Sequence, residues 1–182
     1  MSSNTLGRRA FLSATAASAV ALAHSRPAAA AGPGLVSASG PFEFEVQRSD
    51  EEWREMLTDA EYTIMREGGT EEPQSSIHWD RKEPGSYHCK GCDLKVYDHE
   101  WKVVWKKGWV FFRHSEPQNV LLGVDRVKPA VYGGSGMAEN ENALIEAHCR
   151  RCGSHLGHVV MANLIVVHCI NGAALNFEPA AA

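Results

Sequence analysis

The feature that most restricts this chain is a pair of Cys-x-x-Cys motifs set far apart, Cys89 with Cys92 in GSYHCKGC and Cys149 with Cys152 in HCRRCGSHLGH. Each motif lets two sulfurs reach one ion from a tight turn, and two such turns supply the closed tetrahedral thiolate shell of a structural metal. Gly91 and Gly153 stand where those turns need an open backbone. Any fold that satisfies the motifs must bring two distant stretches of chain side by side. Three alternatives compete. Disulfides are one, although the spacing fixes no connectivity. Iron takes the same four-thiolate geometry, and a thioredoxin-type redox pair needs a βαβ pattern that surrounds neither motif. The four cysteines are read as ligands of a structural zinc ion (Zn2+).

The chain has five cysteines, so Cys169 in LIVVHCI is left over. A cysteine inside an apolar run is ordinarily inert, since reactivity needs a lowered thiol pKa and access. Three neighbours argue for more: His168 is adjacent, Asn171 lies two residues on and so on the same strand face, and His155 and His158 of HLGH follow the second motif closely. A thiol beside histidines is an arrangement for nucleophilic chemistry. Trp109, one of five tryptophans, reads as core packing when taken alone.

The surrounding texture points to a mainly β domain with a short helical N-terminal arm. In SDEEWREMLTDAEYTIMREGG, Ser49 with Glu52 and Thr58 with Glu61 each make a capping box. Trp53, Met56 and Leu57 then share one helix face, Tyr62 and Met65 another, and Gly68 and Gly69 end the second helix. Before the helices, FEFEV (Phe42 to Val46) alternates as a short edge strand does. After them come strand-like runs: KVVWKKGWVFF, NVLLGVDRV, NALIEAHC, LIVVHCI and AALNF. Lys128 to Asn142 reads as a loop. Two antiparallel sheets packed together would bury both faces of such a set.

The 182 residues leave room for one domain with a sizeable core, and the charge of −4 offers no basic footprint for nucleic acid. Residues 1–31 read as an export signal. Arg8 and Arg9 precede Phe11, Leu12 and a short small-residue apolar run, followed by an Ala-rich stretch with A-x-A sites. The run is too short to span a bilayer, and paired arginines before Phe-Leu resemble a twin-arginine signal, which carries folded proteins to the periplasm. Its removal takes away Arg8, Arg9 and Arg26 and no acid, so the charge falls from −4 to about −7. Folding around metal before export would keep four thiols from pairing in an oxidising compartment. Residues 32–47 then read as linker and N-terminal arm, and residues 48–182 as the domain.

HCRRCGSHLGHVV followed by HCINGAALNFEP, preceded by LTDAEYTIMREGGTEEP and GSYHCKGC, resembles the methionine-R-sulfoxide reductase (type B) family over roughly Leu57 to Pro179. The resemblance implies a zinc-bearing fold of two antiparallel sheets, of the β-tent type, and zinc on the two Cys-x-x-Cys pairs. It implies reduction of methionine R-sulfoxide in oxidised proteins, with Cys169 as nucleophile, His155 and His158 as active-site histidines and Asn171 as the asparagine after the nucleophile. Trp109 matches the tryptophan that faces the substrate methyl group; His168, adjacent to Cys169, is read with it as a substrate-binding residue. Lys107 stands where many members carry a resolving cysteine, which implies a thioredoxin-like or other external thiol as reductant. Val167 stands at the position of an arginine, and Gly172 at that of a serine. Two other readings are a non-catalytic zinc β-domain that binds a partner or ligand, and a redox sensor in which oxidation of Cys169 is the signal.

Overall fold

The computed structural model describes residues 36–37, 40–125, 127–128, 136–137 and 144–181. Helices α1 (Asp50–Met56) and α2 (Asp59–Glu67) both start on their expected boxes. The Ser49 and Thr58 hydroxyls accept from the N–H groups of Glu52 and Glu61, whose carboxylates accept in return from the cap N–H groups at 2.7 and 2.9 Å. Each N-cap contributes about 1 kcal/mol to a helix too short to persist alone. Gly68 ends α2 in the left-handed region, at φ 75°. Trp53 and Leu57 are buried but Met56 is 42% exposed, against the expected shared face. Helix α1 stops at Met56, and Leu57 reaches the core on extended backbone rather than along the helix surface.

Among the described residues, the strands of the two main sheets follow: β1 (Gly85–Cys89), β2 (Lys95–Asp98), β3 (Lys102–Val103), β4 (Val110–Phe112), β5 (Val120–Asp125), β6 (Leu144–Cys149), β7 (His155–Ala162), β8 (Ile165–Ile170) and β9 (Leu175–Pro179). They make two antiparallel sheets, one of three strands in the order β9-β1-β2 and one of six in the order β3-β4-β8-β7-β6-β5. Val36–Ser37 with Gly40–Pro41, and Val127–Lys128 with Gly136–Met137, form separate two-residue ladders. The rest of the expected loop to Asn142 falls outside the described residues, as does the expected export signal. No helix among the described residues is long and apolar enough to cross a membrane.

The core lies where the sheets meet. Tyr97 of β2 stacks on Phe112 of β4 at 4.3 Å between ring centroids, and Tyr87 of β1 meets the same ring edge-on at 5.0 Å. Leu156, Ile170, Ala147 and Leu175 close the layer, all buried. Burying each large side chain here stabilises the fold by about 1.5–3 kcal/mol.

Phe42 to Val46 is not a strand, contrary to its alternation. It lies across the second cysteine turn instead: the Val46 N–H donates to the Arg151 carbonyl at 2.9 Å, and Glu45 pairs with Arg150 and Arg151 at 3.7 Å. The alternation therefore serves packing against a turn, with Phe42 and Phe44 edge-on to one another at 5.1 Å. The strand expected from Leu164 begins one residue later, because Asn163 and Leu164, at φ 51° and 64°, form the hairpin turn between β7 and β8. A left-handed leucine costs about 1–2 kcal/mol, and Leu164 is 93% exposed, so packing returns little. Leu164→Gly is expected to raise the unfolding free energy by about 0.5–1 kcal/mol, the relief net of glycine's greater freedom when unfolded. A denaturant midpoint that stays put or falls would contradict this account of the turn.

Candidate active site and metal centre

The two Cys-x-x-Cys motifs form matching turns. In each, the N–H after the second cysteine donates to the carbonyl of the first: Asp93 to Cys89 and Gly153 to Cys149, both at 2.8 Å. The N–H of the first cysteine donates onward, Cys89 to the Leu94 carbonyl and Cys149 to that of Ser154. Gly153 takes the left-handed position at φ 72°, as its place in the motif suggests; in the first turn that position is taken by Asp93 at φ 60°, not by Gly91. Gly91 is needed for space, since a Cβ there would sit 3.0 Å from the Ser154 hydroxyl and 3.1 Å from the Trp53 ring.

The first turn joins β1 to β2 in the small sheet and the second joins β6 to β7 in the large one, so the pair fastens sheet to sheet. The four sulfurs all lie within 4.8 Å of one another, with Cys89 and Cys152 at 3.6 Å and Cys92 and Cys149 at 3.4 Å. A tetrahedral zinc with bonds of about 2.3 Å sets its sulfurs about 3.8 Å apart, so the cluster fits a metal ion. Hydrogen bonds among the thiols hold the Cys92 and Cys152 thiols below the ordinary value, each chiefly through Cys149. They push Cys89, through Cys149, and Cys149, through Cys152, above it.

Cys169 is on β8, between β4 and β7. The ladder sets Phe111, Cys169, His158 and Glu146 in one cross-strand row, and because side chains alternate along strands the row shares a face. Cys169 is 4% exposed and forms a cluster with Phe111 and Val167, against which Trp105, Trp109, Val160 and Ile165 pack. The position expected for a cation is thus an apolar wall: Val167 is fully buried. A register irregularity at Ala147/His148 places His148 opposite His155, whose ring lies 5.7 Å from that of His148 and 5.2 Å from that of His158. Gly157 between the two histidines permits β7 to approach β8, since a Cβ there would fall 2.3 Å from the Cys169 carbonyl oxygen.

His155 Nδ1 meets the Ile64 carbonyl of α2 at 3.1 Å, and burial, helped by His158 and His148, lowers its pKa to about 4. Burial pushes the Glu146 carboxyl up, but the His148 hydrogen bond at 2.9 Å and the nearby imidazoles outweigh it and leave it below the ordinary value.

Asn171 lies just past β8, where its side chain fastens a loop. Its Oδ1 accepts from the Glu71 N–H at 3.0 Å, and its Nδ2 donates to the Leu156 carbonyl at 3.2 Å. Glu71, only 6% exposed, accepts from the N–H groups of Gly172 and Ala173 at 2.7 and 2.8 Å, and its own carbonyl accepts from the Trp109 indole at 3.1 Å. Asn171 therefore positions Trp109 through Glu71. Gly172 carries no side chain because Ser76 occupies the space: an added Cβ would lie 2.0 Å from the Ser76 hydroxyl.

His168 faces away from this group, its Nδ1 3.0 Å from the Tyr97 hydroxyl on the core side of β8. Burial, and then His114, lowers its pKa from 6.5 to about 4. Above pH 6.5 the ring is neutral in both folded and unfolded chain. Between 6.5 and 4 only the unfolded chain takes up the proton, so stability falls as pH falls through that window and levels below it. Wild type is expected to lose about 2 kcal/mol more than His168→Gln across the window, a figure reduced for the ring's partial exposure. Paired denaturant titrations at the two ends check this; equal losses would place His168 in a solvated site.

A SelR domain model matches residues 57–179. The peptide methionine sulfoxide reductase MsrB of Agrobacterium fabrum is 34% identical over 138 residues, covering 74% of this chain and 94% of that protein. The MsrB protein of Methanosarcina barkeri is 33% identical over 139 residues, 73% of this chain and 88% of its own. Peptide methionine sulfoxide reductase B3 of Arabidopsis thaliana is 31% identical over 141 residues, 75% of this chain and 72% of its own. The matched segment contains both cysteine turns, the histidine pair and Cys169, and the chain belongs to the SelR domain family.

Proposed function

We propose that this protein is a peptide-methionine (R)-S-oxide reductase that works through Cys169 and an external thiol. The observation that carries the reading is the row in which Cys169 and His158 stand on adjacent strands, beside the cluster on which Trp109 packs. The Cys169 sulfur attacks the sulfoxide sulfur and forms a sulfur–sulfur bond. The protonated oxygen then passes to the Cys169 sulfur as the sulfur–sulfur and substrate sulfur–oxygen bonds break, leaving a sulfenic acid on Cys169 and the substrate as a thioether. The thiol is oxidised by two electrons and the sulfoxide reduced by two. His158, with His155 beside it, hands the proton to the departing oxygen. Trp109 offers the apolar wall against which the sulfoxide methyl group rests. A first external thiol condenses with the sulfenic acid, releasing water, and a second resolves the mixed disulfide; Lys107 at the resolving position makes both external.

Cys89, Cys92, Cys149 and Cys152 would hold zinc, whose contribution is to fix the fold rather than to enter the reaction. The substrates are oxidised proteins carrying methionine R-sulfoxide. Arg8, Arg9, Phe11 and Leu12 support export through a twin-arginine signal in residues 1–31, with 32–47 as linker and arm and 48–182 as the periplasmic domain. The non-catalytic binding-module reading is not favoured, the relatives that match being named as reductases.

Separate R and S epimers of a methionine sulfoxide peptide, offered with excess dithiol, test the proposal. Turnover confined to the R epimer is expected. Equal turnover of both, or of neither by metal-loaded folded protein, would sink it.

A further inference from the structure

Outside the four-thiolate cluster, one more group of side chains among the described residues presents ligand atoms to a common point: Glu146, His155 and His158, all within 4.8 Å of one another and all buried. The His155 Nδ1 partner is the Ile64 carbonyl, which can only accept, so Nδ1 carries the hydrogen and Nε2 offers a lone pair. That Nε2 is buried with no hydrogen-bond partner, and the residue is 3% exposed. It faces Glu146 Oε1 at 4.0 Å. A lone pair and an anionic oxygen thus confront each other across a gap too long for a hydrogen bond, and leaving the buried Nε2 unmatched is costly.

We infer that Glu146, His155 and His158 form a second divalent-metal site, for a borderline transition ion such as zinc or cobalt. Two imidazoles and a carboxylate are a usual donor set for such ions. Bonds of about 2.0–2.2 Å from nitrogen and oxygen span a 4.0 Å gap nearly in line, and a tetrahedral angle closes it to about 3.4 Å. The carboxylate is already oriented. Its other oxygen, Oε2, is 2.9 Å from His148 Nε2, and that ring's Nδ1 lies 3.3 Å from the Gly153 carbonyl. His148 thus turns Oε1 toward His155, as an outer-shell partner does in metal sites. An ion so held occupies the nitrogens that, on the reductase reading above, move the proton; on that reading the loaded site is a metal-dependent off state.

Protein already holding one equivalent of Co2+ at the thiolates is titrated with more Co2+. Wild type is expected to bind one further equivalent, with weak ligand-field bands and no added sulfur-to-metal charge transfer. Glu146→Gln is expected to keep the first equivalent, which reports an intact fold, and to bind the second at least about 100-fold more weakly; His148→Gln should weaken it by about 10- to 100-fold. Wild-type protein that stops at one equivalent overturns the site without recourse to any variant, and marks the gap as filled by water. Equal second-site affinity in Glu146→Gln overturns it too. The second equivalent should also cut R-sulfoxide turnover at least about tenfold. If it binds and turnover is unchanged, the site stands and the proton role of the histidines falls; if there is no turnover with or without it, the site stands and the reductase reading falls.

Discussion

Cys152→Ser is expected to lose its bound metal and with it the cooperative fold. Cys152 is 3% exposed, its sulfur is 3.6 Å from that of Cys89, and together they connect the small sheet to the large one. A structural zinc in a four-ligand site is worth about 10–16 kcal/mol of folding free energy. Domains of this size have about 5–15 kcal/mol in total. The aromatic contacts of Tyr87 and Tyr97 with Phe112 also join the two sheets. They lie in a core whose burial is largely offset by the entropy of ordering the chain, so losing the metal removes as much free energy as the domain has to spare. Circular dichroism melts read beside metal content decide the matter. A metal-free variant with an unshifted melt would show that the aromatic core alone carries the join.

Cys169→Ser should do the opposite, keeping the fold and losing the chemistry. Serine is nearly the shape of cysteine, and Cys169 supplies only one of three buried members of its cluster, so the stability change is expected to stay within about 1–2 kcal/mol. A serine hydroxyl is a far weaker nucleophile toward sulfur, and R-sulfoxide turnover should drop by about 10³-fold or more. The contrast between two cysteines of similar burial separates fastening from catalysis. A Cys169→Ser protein that still turns over would move the nucleophile elsewhere.

What the sequence made legible depends on how local the signal is. The capping boxes at Ser49 and Thr58 and the two cysteine turns are set by residues within three or four positions, and they form as read. The apolar run around Cys169 is long enough to mark a strand whatever surrounds it. Strand β7 carries no such mark, because His155, Gly157 and His158 are poor strand formers and the segment is held by ladders on both sides. Glu71 and Glu146 carry no sequence signal of burial, one following Gly68, Gly69 and Thr70 and the other lying in the NALIEAHC run. Their burial follows from contacts made about a hundred residues away by Glu71 and through a register irregularity beside Glu146. A carboxylate about a hundred residues from the Gly172-Ala173 pair carries no local cue that it will accept from its N–H groups. The alternation of Phe42 to Val46 misleads for the same reason: period two fits a strand, and equally a segment pressed against a turn.

The central claim is that Cys169 takes the sulfoxide oxygen, and a single turnover without reductant tests it most directly. Metal-loaded protein mixed with excess methionine R-sulfoxide peptide and no thiol is expected to yield about one equivalent of methionine per chain and then stop. Mass spectrometry after dimedone trapping should place the sulfenic acid on Cys169 and leave the four metal-site cysteines unmodified. No methionine formed, or an oxidised cysteine at position 89, 92, 149 or 152 with Cys169 untouched, would contradict the account.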